Sequence, residues 1–178
     1  MDINNIEVPA TLKETLQKSI ELEEQGYQYY TDAAEKVTNS LGKRTLERLA
    51  NDERIHIKRF TELYNAVSDN TIDKVNIEDT QPTTFDEIFN RLKDQLDDAI
   101  EDMSEKGVDD EEVIEMALDL ENTTRFFYEN AAESTNDPKI KKLYQLLANE
   151  EKAHYQILRK TIQFLEDPSL FFGMSGSH

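Results

Sequence analysis

The pattern Glu-x-x-His occurs twice in this chain, as Glu53-Arg54-Ile55-His56 and as Glu151-Lys152-Ala153-His154, with the second copy 98 positions after the first. Of the three histidines in the sequence, the remaining one, His178, is the last residue and is assigned no role. On a helix, residues i and i+3 lie one above the other on nearly the same face. A carboxylate oxygen and an imidazole nitrogen so placed can bind one metal ion together. Two further acids, Glu23 and Glu121, are also 98 positions apart, and each stands within an otherwise apolar stripe. Together the two halves supply four carboxylates and two imidazoles, all aimed inward. A buried, unpaired carboxylate costs several kcal/mol and finds a partner or loses its charge. No lysine or arginine occupies these stripes, whereas two divalent ions would balance four carboxylates. Mixed oxygen and nitrogen ligation suits iron or manganese, with zinc also able to bind.

The elements that must position these groups read as helices. Glycine and proline are scarce, at 5 and 4 residues, and apolar side chains recur at steps of three and four. A first helix is predicted from Thr11, where Thr11-Leu-Lys-Glu14 forms a capping box, to about Val37. Its stripe is Leu12, Leu16, Ile20, Glu23, Tyr27, Tyr30, Ala34 and Val37. A second follows the turn Asn39-Ser-Leu-Gly42 and carries Leu46, Leu49, Glu53, His56, Phe60, Leu63 and Val67. Residues 68–83 are polar and read as a connection. A third helix starts at Thr84-Phe-Asp-Glu87 and ends at Gly107; its stripe has no titratable group, which predicts a packing role only.

The fourth and fifth helices repeat the first and second. Asp109-Asp-Glu-Glu112 is a capping box in register with Thr11 to Glu14. Tyr128 matches Tyr30, Ala131-Ala-Glu133 matches Ala33-Ala-Glu35, and Leu147-to-Glu151 matches Leu49-to-Glu53. Asp137, before Pro138, matches Asn39 as an N-cap. Register held without one insertion indicates a duplication. The acidic runs Asp97-Asp98 and Asp109-to-Glu112 are expected to be solvated faces and helix starts, since neither has calcium-loop spacing.

The rest of the composition narrows the function. With Lys+Arg 20 against Asp+Glu 38, the formal charge is −18, a field that repels nucleic acid and anionic lipid. There is no cysteine, hence no disulfide, thiolate zinc site or iron–sulfur cluster. No apolar run approaches the ~20 residues of a membrane span, and Met-Asp-Ile-Asn-Asn has no basic n-region, so the cytoplasm is the expected compartment. A chain of 178 residues is long enough for one core. The expectation is a single all-α domain over 1–170. It has helix pairs at about 11–67 and 109–165, a crossover over 68–108 with an additional helix, and a tail at 171–178.

A glutamate from each of two helices plus Glu-x-x-His from each of the other two is a dimetal-carboxylate arrangement. With Tyr30 seven residues after Glu23 and Tyr128 seven after Glu121, the chain resembles the ferritin-like di-iron proteins and, among them, the rubrerythrins. The resemblance implies a ferritin-like four-helix bundle holding two iron ions. It implies Glu23 and Glu121 as terminal ligands, Glu53 and Glu151 as bridges, and His56 and His154 each capping one iron. It implies Tyr30 and Tyr128 as donors that orient carboxylates. Each tyrosine lies ~10 Å along the axis from the glutamate of its own helix, so each is assigned to a carboxylate on a facing helix. The implied activity is reduction of hydrogen peroxide or O2 in oxidative-stress defence or iron handling, by a homodimer supplied by a separate electron-donor protein. Alternatives are a ferritin-type ferroxidase that stores iron, a di-iron oxygenase, and a non-enzymatic metal-stabilised bundle. Two departures stand out. Rubrerythrins carry a cysteine-ligated rubredoxin domain, and they carry an extra glutamate one turn beyond the position of Glu121, where this chain has Thr124.

Overall fold

The computed structural model describes residues 6–75 and 110–167. Four long helices make up most of them: α1 (Leu12–Lys36), α2 (Ser40–Ser68), α3 (Asp110–Ser134) and α4 (Pro138–Glu166), with a short 3-10 turn at Ile72–Lys74. The two halves match in length, since α1 and α3 have 25 residues each and α2 and α4 have 29 each. No strand occurs among the described residues. Nor is any helix among them long and apolar enough to cross a membrane. The helix predicted over 84–107, the cap residue Asp109 and the tail lie outside the described residues.

The helix starts follow from local hydrogen bonding. Thr11 Oγ1 accepts from Glu14 N at 3.2 Å while Thr11 N donates to the Glu14 carboxylate at 3.3 Å, closing the predicted capping box. Asn39 Oδ1 accepts from Leu41 N and Gly42 N, so the stretch read as a turn is in fact the first turn of α2. Asp137 caps α4 in the same way, with Pro138 in the first-turn position that needs no donor. Asp110 departs from the expected solvated helix start. It is buried and its carboxylate accepts from Thr38 N at 3.0 Å and Asn39 N at 2.8 Å. The backbone amides at the α1–α2 corner need an acceptor, and the opposite half of the molecule supplies it.

Helix α1 packs along α2 and α3 along α4, and the two hairpins meet with α1 against α3 and α2 against α4. The apolar interior divides into two clusters. One holds Leu16, Phe60, Phe127, Tyr128, Tyr144 and Leu147; the other holds Tyr30, Leu46, Leu49, Ile114, Leu158 and Ile162. On every helix, the charged residues of the repeat fall in the sequence between the part that feeds one cluster and the part that feeds the other. Each fully buried Leu or Phe contributes roughly 1.5–3 kcal/mol. Two apolar layers of this kind can therefore carry a polar layer between them whose desolvation is unfavourable.

Candidate metal centre

Glu23, Glu53, His56, Glu121, Glu151 and His154 are all buried, none more than 3% exposed. They form two overlapping groups of four, Glu23–Glu53–His56–Glu151 and Glu53–Glu121–Glu151–His154, within each of which one ligand atom per residue lies within 4.8 Å of the others. Glu53 and Glu151 belong to both groups. His56 Nδ1 is 3.3 Å from Glu23 Oε2, 3.2 Å from Glu53 Oε2 and 3.3 Å from Glu151 Oε1. His154 Nδ1 is 3.4 Å from Glu53 Oε1, 3.5 Å from Glu121 Oε1 and 3.6 Å from Glu151 Oε2. Glu53 and Glu151 thus each turn one oxygen to one histidine and the other oxygen to the second. Glu23 and Glu121 each face one histidine only. The two imidazole rings are nearly parallel, 15° apart, with centroids separated by 5.7 Å.

The tyrosines tie the halves together. Tyr30 donates to Glu121 Oε1 and Tyr128 donates to Glu23 Oε1, so each serves a carboxylate on the facing helix rather than on its own. Burial and the adjacent carboxylate push both phenols well above their ordinary range, and they remain protonated donors.

Sequence reasoning overlooked a second ring of acids. Asp52 and Glu150 immediately precede the shared glutamates, are 98 positions apart, and are 3% and 1% exposed. Glu150 Oε2 lies 3.0 Å from His56 Nε2, and Asp52 Oδ2 lies 3.6 Å from His154 Nε2. Each histidine therefore aims its other nitrogen at an acid of the opposite half, the arrangement by which a ligating imidazole is oriented. Arg59 donates to Glu150 at 2.8 Å and Arg48 to Asp52 at 3.0 Å, both from partly exposed positions. The signal was the acidic pair Asp52-Glu53 recurring as Glu150-Glu151. It is not legible from spacing alone because adjacent helical residues differ by ~100° in direction, so only one acid of each pair falls on the apolar stripe.

The electrostatics are those of an over-acidic interior. Burial, then Glu53, push the Glu23 carboxyl up to about 8. Burial, then Glu151, push Glu121 up likewise. Burial and Glu151 act upward on Glu53 too, but its close polar contacts with Glu23, His154 and His56 outweigh them and hold it low. Glu151 is held low in the same way by both histidines, against burial and Glu23. Against the cost of burial, the surrounding acids raise both histidines well above their ordinary value.

The donor set fits a pair of divalent cations. Glu121 Oε2, Glu151 Oε1 and both ring nitrogens of His154 are buried without a hydrogen-bond partner among the described residues. Such atoms cost about 1–3 kcal/mol each when left unsatisfied. All four belong to the six side chains that converge. Six nitrogen and oxygen donors with two shared carboxylates are what two cations of intermediate hardness take.

The model of the Rubrerythrin family matches residues 14–162 of the chain. No curated protein and no solved structure matches it.

Proposed function

The chain belongs to the rubrerythrin family of ferritin-like di-iron proteins, and from that premise we propose that it binds two iron ions and reduces hydrogen peroxide, and more slowly O2, between them. The observation that carries this reading is the sharing of Glu53 and Glu151 by both histidines. In this reading Glu53 and Glu151 would contribute to both iron sites, Glu23 and His56 would complete one, and Glu121 and His154 would complete the other. An iron pair bound there would supply, as ferrous ions, the two electrons that with two protons reduce hydrogen peroxide to two waters.

The side chains do the rest. Glu23 and Glu121 would offset added positive charge on the bound ions, each steadied by a tyrosine from the facing helix. His56 and His154 keep their ring orientation through Glu150 and Asp52, which hold the ligating nitrogen toward the carboxylates. The apolar clusters above and below exclude bulk water, so the charges act in a medium where they are strong. The 178 residues contain no cysteine and so no thiolate-bound redox centre. A separate one-electron donor protein returns the two electrons.

The test is stopped-flow mixing of the di-ferrous protein with hydrogen peroxide and, separately, with O2, followed by desalting and iron counting. Faster oxidation by peroxide with both irons retained is expected. Faster reaction with O2, with many irons accumulating per chain, would replace this reading with iron storage.

A further inference from the structure

Gly26 is buried in the middle of α1, where glycine is disfavoured by about 0.5–1 kcal/mol relative to alanine. Neither backbone nor packing requires it. Its φ is not in the left-handed region, because no glycine among the described residues has positive φ. A methyl group built on it would lie 3.5 Å from Glu53 Cγ and 3.9 Å from Leu120 Cδ2, ordinary contact distances. Gly42 is the contrasting case: a methyl there would come within 2.8 Å of Val37 Cγ1, which gives that glycine a steric reason. Alanine would fit at position 26 and would favour the helix, yet the chain has glycine. A local rule broken without a structural return marks a functional position.

What the missing methyl leaves open is a cavity. Its wall includes Glu23, Gly26, Glu53, Glu121, Thr124 and Glu151 beside Leu22, Tyr30 and Leu120, with neither histidine in it, and it measures about 10 Å3. That is the room of about one water molecule. Gly26 and Thr124 are 98 positions apart, each three residues after the glutamate of its own helix. They are therefore the same position of the repeat, and they face the shared carboxylates from α1 and α3. Thr124 directs its hydroxyl hydrogen back to Leu120 O at 3.2 Å.

We propose that the Gly26–Thr124 cavity is the oxidant-binding position and acts as a size filter, admitting hydrogen peroxide and O2 while excluding alkyl hydroperoxides and organic substrates. This rests on the di-iron reading above. A two-heavy-atom ligand enters with slight adjustment of the walls, whereas a tert-butyl group needs room for four carbon atoms, well beyond a space for about one water molecule. Interiors at crystal-like density do not yield that much volume without displacing side chains. One methyl in a snug pocket is worth roughly 10–200-fold in discrimination, so a single added or removed carbon is a sufficient probe.

The experiment uses the full chain and two variants with opposite effects, Gly26→Ala and Thr124→Ala. Metal content, melting temperature, azide affinity of the oxidised protein, and oxidation rates with hydrogen peroxide and tert-butyl hydroperoxide are measured for each. Wild type is expected to prefer hydrogen peroxide over tert-butyl hydroperoxide by at least about tenfold. Gly26→Ala should keep two metals and melt no lower than wild type, yet bind azide and react with peroxide at least about tenfold more weakly. Thr124→Ala should narrow the preference between the two hydroperoxides. Unchanged azide affinity in Gly26→Ala, a lower melting temperature for it, or equal rates with both hydroperoxides in wild type would each overturn the size filter. A wild type that binds two irons but is oxidised by neither peroxide nor O2 would overturn the oxidant reading itself, and the filter with it.

Discussion

Tyr128 donates its hydroxyl hydrogen to Glu23, a carboxylate 105 residues earlier in the chain and on the facing helix. Tyr30 makes the reciprocal bond to Glu121. Because these bonds run between hairpins, Tyr128→Phe is expected to destabilise the metal-free protein by about 1–3 kcal/mol, the cost of leaving a buried carboxyl without its donor. Two metals should still bind, with only modest change in oxidation rate. Chemical unfolding of both forms and metal analysis check this; loss of one metal would make the phenol essential to binding rather than to orientation.

The sharing of two glutamates predicts an unequal pattern among ligand substitutions. Glu53→Ala or Glu151→Ala should weaken both metal sites, whereas Glu23→Ala should weaken chiefly the site of His56 and Glu121→Ala the site of His154. His56→Ala should likewise affect one site more than the other. Titration with a spectroscopically visible divalent ion distinguishes the classes. A Glu53→Ala protein that retains one site at full affinity would remove the bridging assignment.

Asp52 and Glu150 touch the histidines rather than the centre of the cluster. Glu150→Gln and Asp52→Asn, which keep shape and remove charge, should lower metal affinity by roughly 10–100-fold. Glu150→Gln should have the larger effect, since Glu150 sits 3.0 Å from its histidine and Asp52 3.6 Å. Competition with a chelator of known affinity reads this directly, and equal affinity in wild type and both variants would leave the pair with no part in binding.

Proton linkage gives opposite pH profiles with and without metal. In the metal-free protein His56 and His154 have folded-state values above the ordinary 6.5, so their stabilisation is complete below pH 6.5 and is lost as pH rises beyond it. Glu23 stays protonated up to about 8 when folded but ionises near 4.5 when unfolded, so it withdraws stability between those values, and Glu121 acts in the same sense. Glu53 and Glu151 are held below 4.5, and what they contribute disappears only as pH falls through that range. The metal-free protein should therefore be most stable near pH 4.5 and weaken as the pH rises toward 8, more steeply once past 6.5. The metal-loaded protein should strengthen over the same rise, because ligands must lose protons to bind. Melting curves at pH 5 through 8 with and without metal test the crossing, with Glu23→Gln/Glu121→Gln as the control for surface charge.

Much of this arrangement could be read from residue order. The helix starts at Thr11, Asn39 and Asp137 were legible because capping is chemistry between residues two or three apart. The six convergent side chains were legible because a 98-residue repeat placed each twice in an apolar stripe. What sequence could not give were relationships that depend on the angle between helices. Asp110 reaching the α1–α2 corner, Glu150 and Arg59 lining up behind His56, and the cavity at Gly26 all require knowing which faces meet. Gly26 was the least visible of these, because an isolated glycine in a helix has several meanings until its neighbours are known.

The bonds that complete the site run across the molecule. Tyr30 serves Glu121, Tyr128 serves Glu23, His56 leans on Glu150 and His154 on Asp52. A single hairpin therefore carries half of each arrangement and none of them whole. The geometry asks only that one α1–α2 hairpin meet one α3–α4 hairpin, and nothing among the described residues requires both to come from the same polypeptide. A hairpin exchanged between two copies of the chain would rebuild the same centre, atom for atom, so the chemistry is indifferent to how the backbone is threaded between its halves.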